Sequence, residues 1–172
     1  MGQSTFSGPV KSLAGFISAG VSNSVTTGAA AISLDVANYS GKQIYYTSVA
    51  ATTFTLPAVN TTSPSDPTDP NQLNNYGAAY SFVLSTTVTG SFIVQVANAA
   101  DTMVGTAILG SGTTALVFST ATASDTITLS GTTTGGVGGA TITATVVGAN
   151  RYKVNVVSGA TGAVATPFSA AV

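Results

Sequence analysis

The stretch from Tyr80 to Val96, YSFVLSTTVTGSFIVQV, holds two runs in which apolar and small polar residues alternate. Tyr80, Phe82 and Leu84 share one face of the first run; Phe92, Val94 and Val96 share one face of the second. A period of two puts successive side chains on opposite faces of an extended chain, so each run reads as a strand with one face buried. The link TTVTG between them is short enough for a hairpin.

The same pattern recurs along the chain. DTITLSG sets Ile127 and Leu129 between threonines, ATITATVV repeats this with Ile142 and Val146, and RYKVNVV opposes Tyr152, Val154 and Val156 to Arg151, Lys153 and Asn155. AAAISLDVA, KQIYYTS, TTFTLPA, TMVGTAILG and TALVFST add further candidates, about ten short strands in all. No window combines helical apolar spacing with strong helix formers, so helices should be minor. Many short strands separated by Gly, Asn and Ser turns indicate an all-β fold: one β-sandwich, jelly-roll or barrel-like domain.

Two segments depart from the rhythm. Residues 58–79, AVNTTSPSDPTDPNQLNNYGAA, carry Pro64, Pro67 and Pro70 at every third position, the repeat of a polyproline II turn, and form a long loop. Residues 1–28 begin MGQSTFSGPVKSLAGFISAG, where Gly8, Pro9 and Gly15 oppose a regular helix or a central strand. The domain organisation is therefore an extended N-terminal arm over 1–28 and a β domain over 29–172. The leader lacks the basic start and continuous apolar run of a secretory signal, and Phe6 stands where an N-myristoylation motif needs Ser or Thr. No run approaches the roughly 18 apolar residues of a membrane helix.

Composition narrows function. Only 5 % of residues are charged and the formal net charge is −1, which supports neither a nucleic-acid partner nor a polybasic membrane surface. The chain has no His, no Cys and no Glu, so the usual general base, the thiol nucleophile and most transition-metal ligands are missing together. No catalytic, cofactor-binding or metal site is expected. Asp101 and Asp125, in DTM and DTI, lack the glycine turn of an aspartic-protease half and read as residues that open strands. GSGTTA (110–115) satisfies a dinucleotide-binding spacing, but strand-like LVFST follows where a helix is required, so a hairpin turn is the reading. GTTTGGVGG (131–139) has no Lys-Ser/Thr to complete a phosphate loop and reads as a flexible turn. Asp66 and Asp69 are too few for a calcium loop. Arg151 and Lys153 read as a solvated strand face.

Natural sheets guard their edges with Lys, Pro, bulges or a covering element. A threonine-rich β domain with this little charge is expected either to close into a barrel or to bury its edges in an ordered assembly.

Several passages together, STFSGPVKSLAGF (4–16), FTLPA (54–58), YSFVLSTTVTGSFIVQVANAADTMVG (80–105), SDTITLSGTTTGGVGGATI (124–142) and ATPFSAAV (165–172), resemble decoration, or cement, proteins of tailed-bacteriophage heads. The resemblance spans nearly the whole chain. It implies a non-enzymatic virion protein on the outer capsid surface that bridges neighbouring subunits of the major capsid protein, commonly as a homotrimer at three-fold or quasi-three-fold positions. It casts the leader as an attachment arm that contacts the capsid or a neighbouring subunit through Phe6, Pro9, Val10, Lys11, Leu13 and Phe16, with Phe6, Val10, Leu13 and Phe16 as apolar anchors and Lys11 as the polar contact. A looser similarity, through the series TLPA, Y.F, I.V and D.M.G, is to phage fibre and spike modules, which implies the alternative of a receptor- or glycan-binding fibre.

Overall fold

The computed structural model describes residues 22–25, 31–61 and 74–172. Among these residues, twelve strands form two sheets that face each other across one apolar core. The first six strands alternate between the sheets. β1 (Ser22–Val25), β3 (Gln43–Tyr46) and β5 (Ala79–Leu84) lie side by side and parallel in the larger sheet; β2 (Ala31–Ser33), β4 (Thr52–Thr55) and β6 (Phe92–Gln95) do the same in the smaller. The chain thus winds as a two-sided coil, each turn giving one strand to each sheet.

The coil has a readable pitch. Ser22 pairs with Gln43 and Gln43 with Ser81, spacings of 21 and 38 residues. In the other sheet Thr53 pairs with Ala31 and with Ile93, spacings of 22 and 40. The excess in the last turn is the Pro-rich loop, an insertion into an otherwise regular winding. Each turn drops side chains into shared columns: Ile44 beside Phe82, Tyr46 beside Leu84, Phe54 beside Val94, and Leu34, Leu56 and Val96 in sequence, all buried. Between β2 and β3 the return is made by a single helical turn, α1 (Val36–Tyr39), whose N-cap Asp35 accepts the Asn38 N–H at 2.7 Å.

The expected hairpin between YSFVLS and SFIVQV does not form. β5 and β6 belong to different sheets, and residues 85–91 arch from one to the other. Val88 is turned inward and fully buried, and the arch stacks on the preceding one through Thr89 and Gly90 N–H groups donated to the Val49 carbonyl at 2.9 and 3.2 Å. The two apolar faces therefore meet across the core instead of lying side by side, and Phe82 packs on Phe92 with ring centroids 6.0 Å apart. Tyr46 and Phe54 complete this four-ring centre, with centroid separations of 5.2 to 5.4 Å for the closest pairs.

The remaining strands are mostly antiparallel. β7 (Thr102–Ser111) and β8 (Thr114–Ser119) form a hairpin, as do β10 (Thr141–Gly148) and β11 (Arg151–Gly159), while β9 (Thr126–Leu129) and β12 (Phe168–Ser169) extend the smaller sheet. The strand orders are β1-β3-β5-β10-β11-β7-β8 and β12-β9-β6-β4-β2. Both are open sequences with two ends, so the architecture is a sandwich of mixed sheets and not a closed barrel. Among the described residues, β1 falls inside the segment read as an arm and pairs with β3.

Candidate functional site

The arm residues Phe6, Pro9, Val10, Lys11, Leu13 and Phe16 lie outside the described residues, as do Asp66 and Asp69. The remaining candidates can be placed one by one.

Asp101 and Asp125 each immediately precede a strand, β7 and β9, and both are buried. Asp101 accepts the Val59 N–H and the Asn98 side-chain amide, each at 3.0 Å, which ties the turn before β7 to the chain leaving β4. Asp125 accepts the Thr126 hydroxyl at 2.8 Å and the N–H groups of Ala171 and Val172 at 2.8 and 3.3 Å. A buried carboxylate needs hydrogen-bond donors, and the donors here come from the structure's own turns and C-terminal segment.

The glycine motifs resolve differently. GSGTTA is the β7–β8 turn, with Gly112 at φ 58°. GTTTGGVGG crosses from β9 to β10, and its glycines are packing devices. A Cβ on Gly131 would lie 2.5 Å from the Val88 carbonyl oxygen, and one on Gly136 2.8 Å from the Val88 side chain. This turn is therefore wedged under the β5–β6 arch, more tightly held than a flexible linker.

At the base of the Pro-rich loop, an asparagine clasp closes the neck. Buried Asn75 accepts the Asn60 N–H through its side chain at 2.7 Å, donates from its own N–H to the Asn60 carbonyl at 2.7 Å, and gives its amide to Ala58 O at 2.8 Å. Asn74 adds a bond to Thr61 O at 2.8 Å. Nothing in the hydrophobic pattern marks these asparagines. Their signal is only a pair of amides flanking a proline run.

Of the six tyrosines, Tyr46, Tyr80 and Tyr152 are fully buried, Tyr39 and Tyr45 are half-buried, and Tyr76 beside the loop is exposed. Burial, with a smaller contribution from Asp35, pushes the Tyr80 phenol up to about 12. Tyr152 is held further above its ordinary range, first by burial and then by Tyr80 and Asp101, and its hydroxyl donates to Pro57 O at 2.6 Å. Both phenols are neutral packing groups throughout the physiological range.

What remains is surface. The outer face of the seven-stranded sheet is about 30 Å wide at the usual strand spacing. Among the described residues its only charges are Arg151 and Lys153, both exposed as expected of a solvated strand face. Arg151 borders an open cleft of about 250 Å³ with Thr102, Val104, Thr120 and Thr122. Beside it the sheet carries a lateral apolar row: Val117 on β8 opposes Ile108 on β7, which opposes Val157 on β11, and these are 66 %, 45 % and 54 % exposed. β8 itself, expected to be half-buried, is exposed on both faces, with only Phe118 partly covered. Among the described residues, a seven-stranded sheet against a five-stranded one leaves its last strand without an opposite layer. No protein-family model, curated protein or solved structure matches the chain.

Proposed function

We propose that this chain is a non-enzymatic virion protein that binds the outer surface of a tailed-bacteriophage capsid and stabilises the head by bridging neighbouring capsid subunits. The observation that carries the reading is the outer face of the larger sheet: broad, threonine- and valine-rich, charged on one strand only and, among the described residues, ending in an uncovered edge. Such a surface suits many modest contacts multiplied by the symmetry of a shell. The resemblance of STFSGPVKSLAGF and SDTITLSGTTTGGVGGATI to head decoration proteins points the same way, and it casts the copies as trimers whose arms, through Phe6, Val10, Lys11, Leu13 and Phe16, lie on the major capsid protein.

The test is occupancy. Quantitative densitometry of purified particles should give hundreds of copies per virion, and deletion of residues 1–20 should leave a folded β domain that no longer occupies expanded heads. A count in the tens would transfer the chain to the fibre reading, and unchanged occupancy of the truncated chain would remove the arm from the attachment. For a glycan-binding fibre the support is thin, since Tyr76 is the one tyrosine with an exposed ring.

A further inference from the structure

The edge strand β8 has a property that its neighbours lack: it is complementary to itself. Thr120, just beyond the strand and opposite Gly105, donates its N–H to the Gly105 carbonyl at 3.1 Å. Hydrogen bonding alternates along an antiparallel strand, so the even-numbered residues of β8 direct their N–H and C=O groups at β7. Ala115, Val117 and Ser119 direct theirs away from the sheet, on the side where no further strand lies among the described residues, and all three residues are exposed.

We propose that β8 is the docking edge for a second copy of this chain, paired antiparallel about a two-fold axis at Val117. In that register Val117 faces Val117 of the second copy, and Ala115 faces Ser119. Every outward N–H and C=O of the strand finds a partner, in three hydrogen-bonded pairs of two bonds each. On the outer face the rows Val157, Ile108, Val117 of the two copies join end to end into one apolar band. On the inner face Leu116, 43 % exposed, meets Phe118 of the second copy, and the reverse pair repeats the contact. A two-fold axis sets any charge that lies close to it beside its own image, and among the described residues β7, β8 and the chain up to Ser124 bring none: residues 102–124 contain no charged side chain and no Pro. A slip of the pairing by one residue, which moves the axis by half a residue, would face outward groups with groups already bonded to β7; of the registers that remain, the axis at Val117 is the one that gives Ala115, Val117 and Ser119 each a partner within the strand.

Size sets the strength. Six residues span about 20 Å of edge, and a sheet is about 10 Å thick, so the strand pair covers on the order of 200 Å² per copy. That is well below the roughly 800 Å² per partner of a stable interface, which makes the pair transient in solution and effective only where symmetry repeats it. The pairing is a property of the free chain and does not depend on the capsid reading.

The natural chain has no cysteine, which makes the register directly testable. Across a hydrogen-bonded antiparallel pair the Cα atoms are about 5.5 Å apart, within disulfide range. Val117→Cys should therefore cross-link to itself under mild oxidation. Ala115→Cys should not, because its own image lies about 14 Å away along the strand, but mixed with Ser119→Cys it should give a heterodimer. The expected result is self-cross-linking at least tenfold faster for V117C than for A115C, and suppression of the A115C/S119C product when Val117→Pro, which removes one outward donor, is introduced into both. All three positions are on the exposed edge, and circular dichroism checks that each variant is folded. Equal rates for V117C and A115C, no cross-linking of V117C at high concentration, or cross-linking of V49C at the same rate would overturn the proposal; Val49 is 50 % exposed and lies in an arch away from β8.

Discussion

Gly105 and Gly110 lie on the same strand, β7, five residues apart, and the same substitution at the two should have opposite consequences. Gly105 pairs with Val154 of β11, and the backbones approach so closely that a Cβ at 105 would lie 1.7 Å from the Val154 carbonyl oxygen and 2.8 Å from its carbonyl carbon. Contacts below 3.0 Å essentially never occur for real Cβ atoms. The strands would have to part by more than 1 Å, and the obstruction is backbone, which has no rotamer to give. Overpacking of this kind costs about 1–3 kcal/mol, and loss of two ladder hydrogen bonds adds about 1–3 kcal/mol. Gly105→Ala should therefore destabilise the fold by roughly 3–5 kcal/mol, a large part of the roughly 5–15 kcal/mol typical of a domain. At Gly110 the nearest atom to a new Cβ is Thr114 O at 4.0 Å, so Gly110→Ala meets no obstacle and restricts the unfolded chain, for a change between zero and about 1 kcal/mol of stabilisation. Urea titration followed by far-UV circular dichroism reads both as shifts in midpoint at constant slope. If G105A unfolds within about 1 kcal/mol of the natural chain, or if G110A is as damaging as G105A, close approach to β11 is not the reason for glycine at 105.

Three further expectations rest on particular contacts. Replacing residues 62–73 by a short Gly-Ser linker should leave circular dichroism unchanged and shift stability by less than about 1 kcal/mol, because the asparagine clasp closes the neck and loop length enters only logarithmically; Asn75→Ala should cost about 2 kcal/mol in a thermal melt by removing the buried side-chain bonds to the Asn60 N–H and the Ala58 carbonyl. Tyr152→Phe, which deletes the bond to Pro57 O, should destabilise more than Tyr80→Phe, whose hydroxyl is buried with no protein partner among the described residues; equal costs would mean that the 2.6 Å bond contributes nothing. The pH dependence has a definite sign: the folded Tyr80 phenol titrates at about 12 against about 10 unfolded, so the unfolded chain loses its proton first. That contribution is complete below about pH 10 and disappears as pH rises toward 12, seen as a falling urea midpoint over that window, while absorbance at 295 nm shows that the buried Tyr80 phenol stays protonated until the fold is lost or pH reaches about 12. A midpoint flat from about pH 9 to 12 would contradict the burial of Tyr80 and Tyr152.

Most strands were legible from the chain alone because a strand with one dry face must alternate, and that alternation is local. Tyr80, Phe82 and Leu84, Ile127 and Leu129, and Tyr152, Val154 and Val156 all turn inward as their pattern requires. β1, with its polar SNSV, and the two-residue β12 carry no such pattern and emerge only from pairing. The structural roles of Asp101 and Asp125 were legible in their position before a strand. Their partners, Val59 and the N–H groups of residues 171 and 172, were not, since 42 to 47 residues separate donor from acceptor.

The amino-acid sequence by itself determined that this chain is built from short strands, which face of each strand is dry, and that few charges would protect the result. Tertiary structure alone decided which sheet each strand joins and in which direction it runs. YSFVLS and SFIVQV satisfy their period equally well as a hairpin or as two walls of a coil. The burial of Val88 in the arch and the packing of Phe82 on Phe92 choose the second. By the same logic TALVFST looks like any half-buried strand, and only its place at the end of a seven-stranded sheet facing a five-stranded one leaves it bare. Alternation is a property of neighbours in sequence, whereas sheet partnership and edge exposure depend on which distant segments arrive beside a strand.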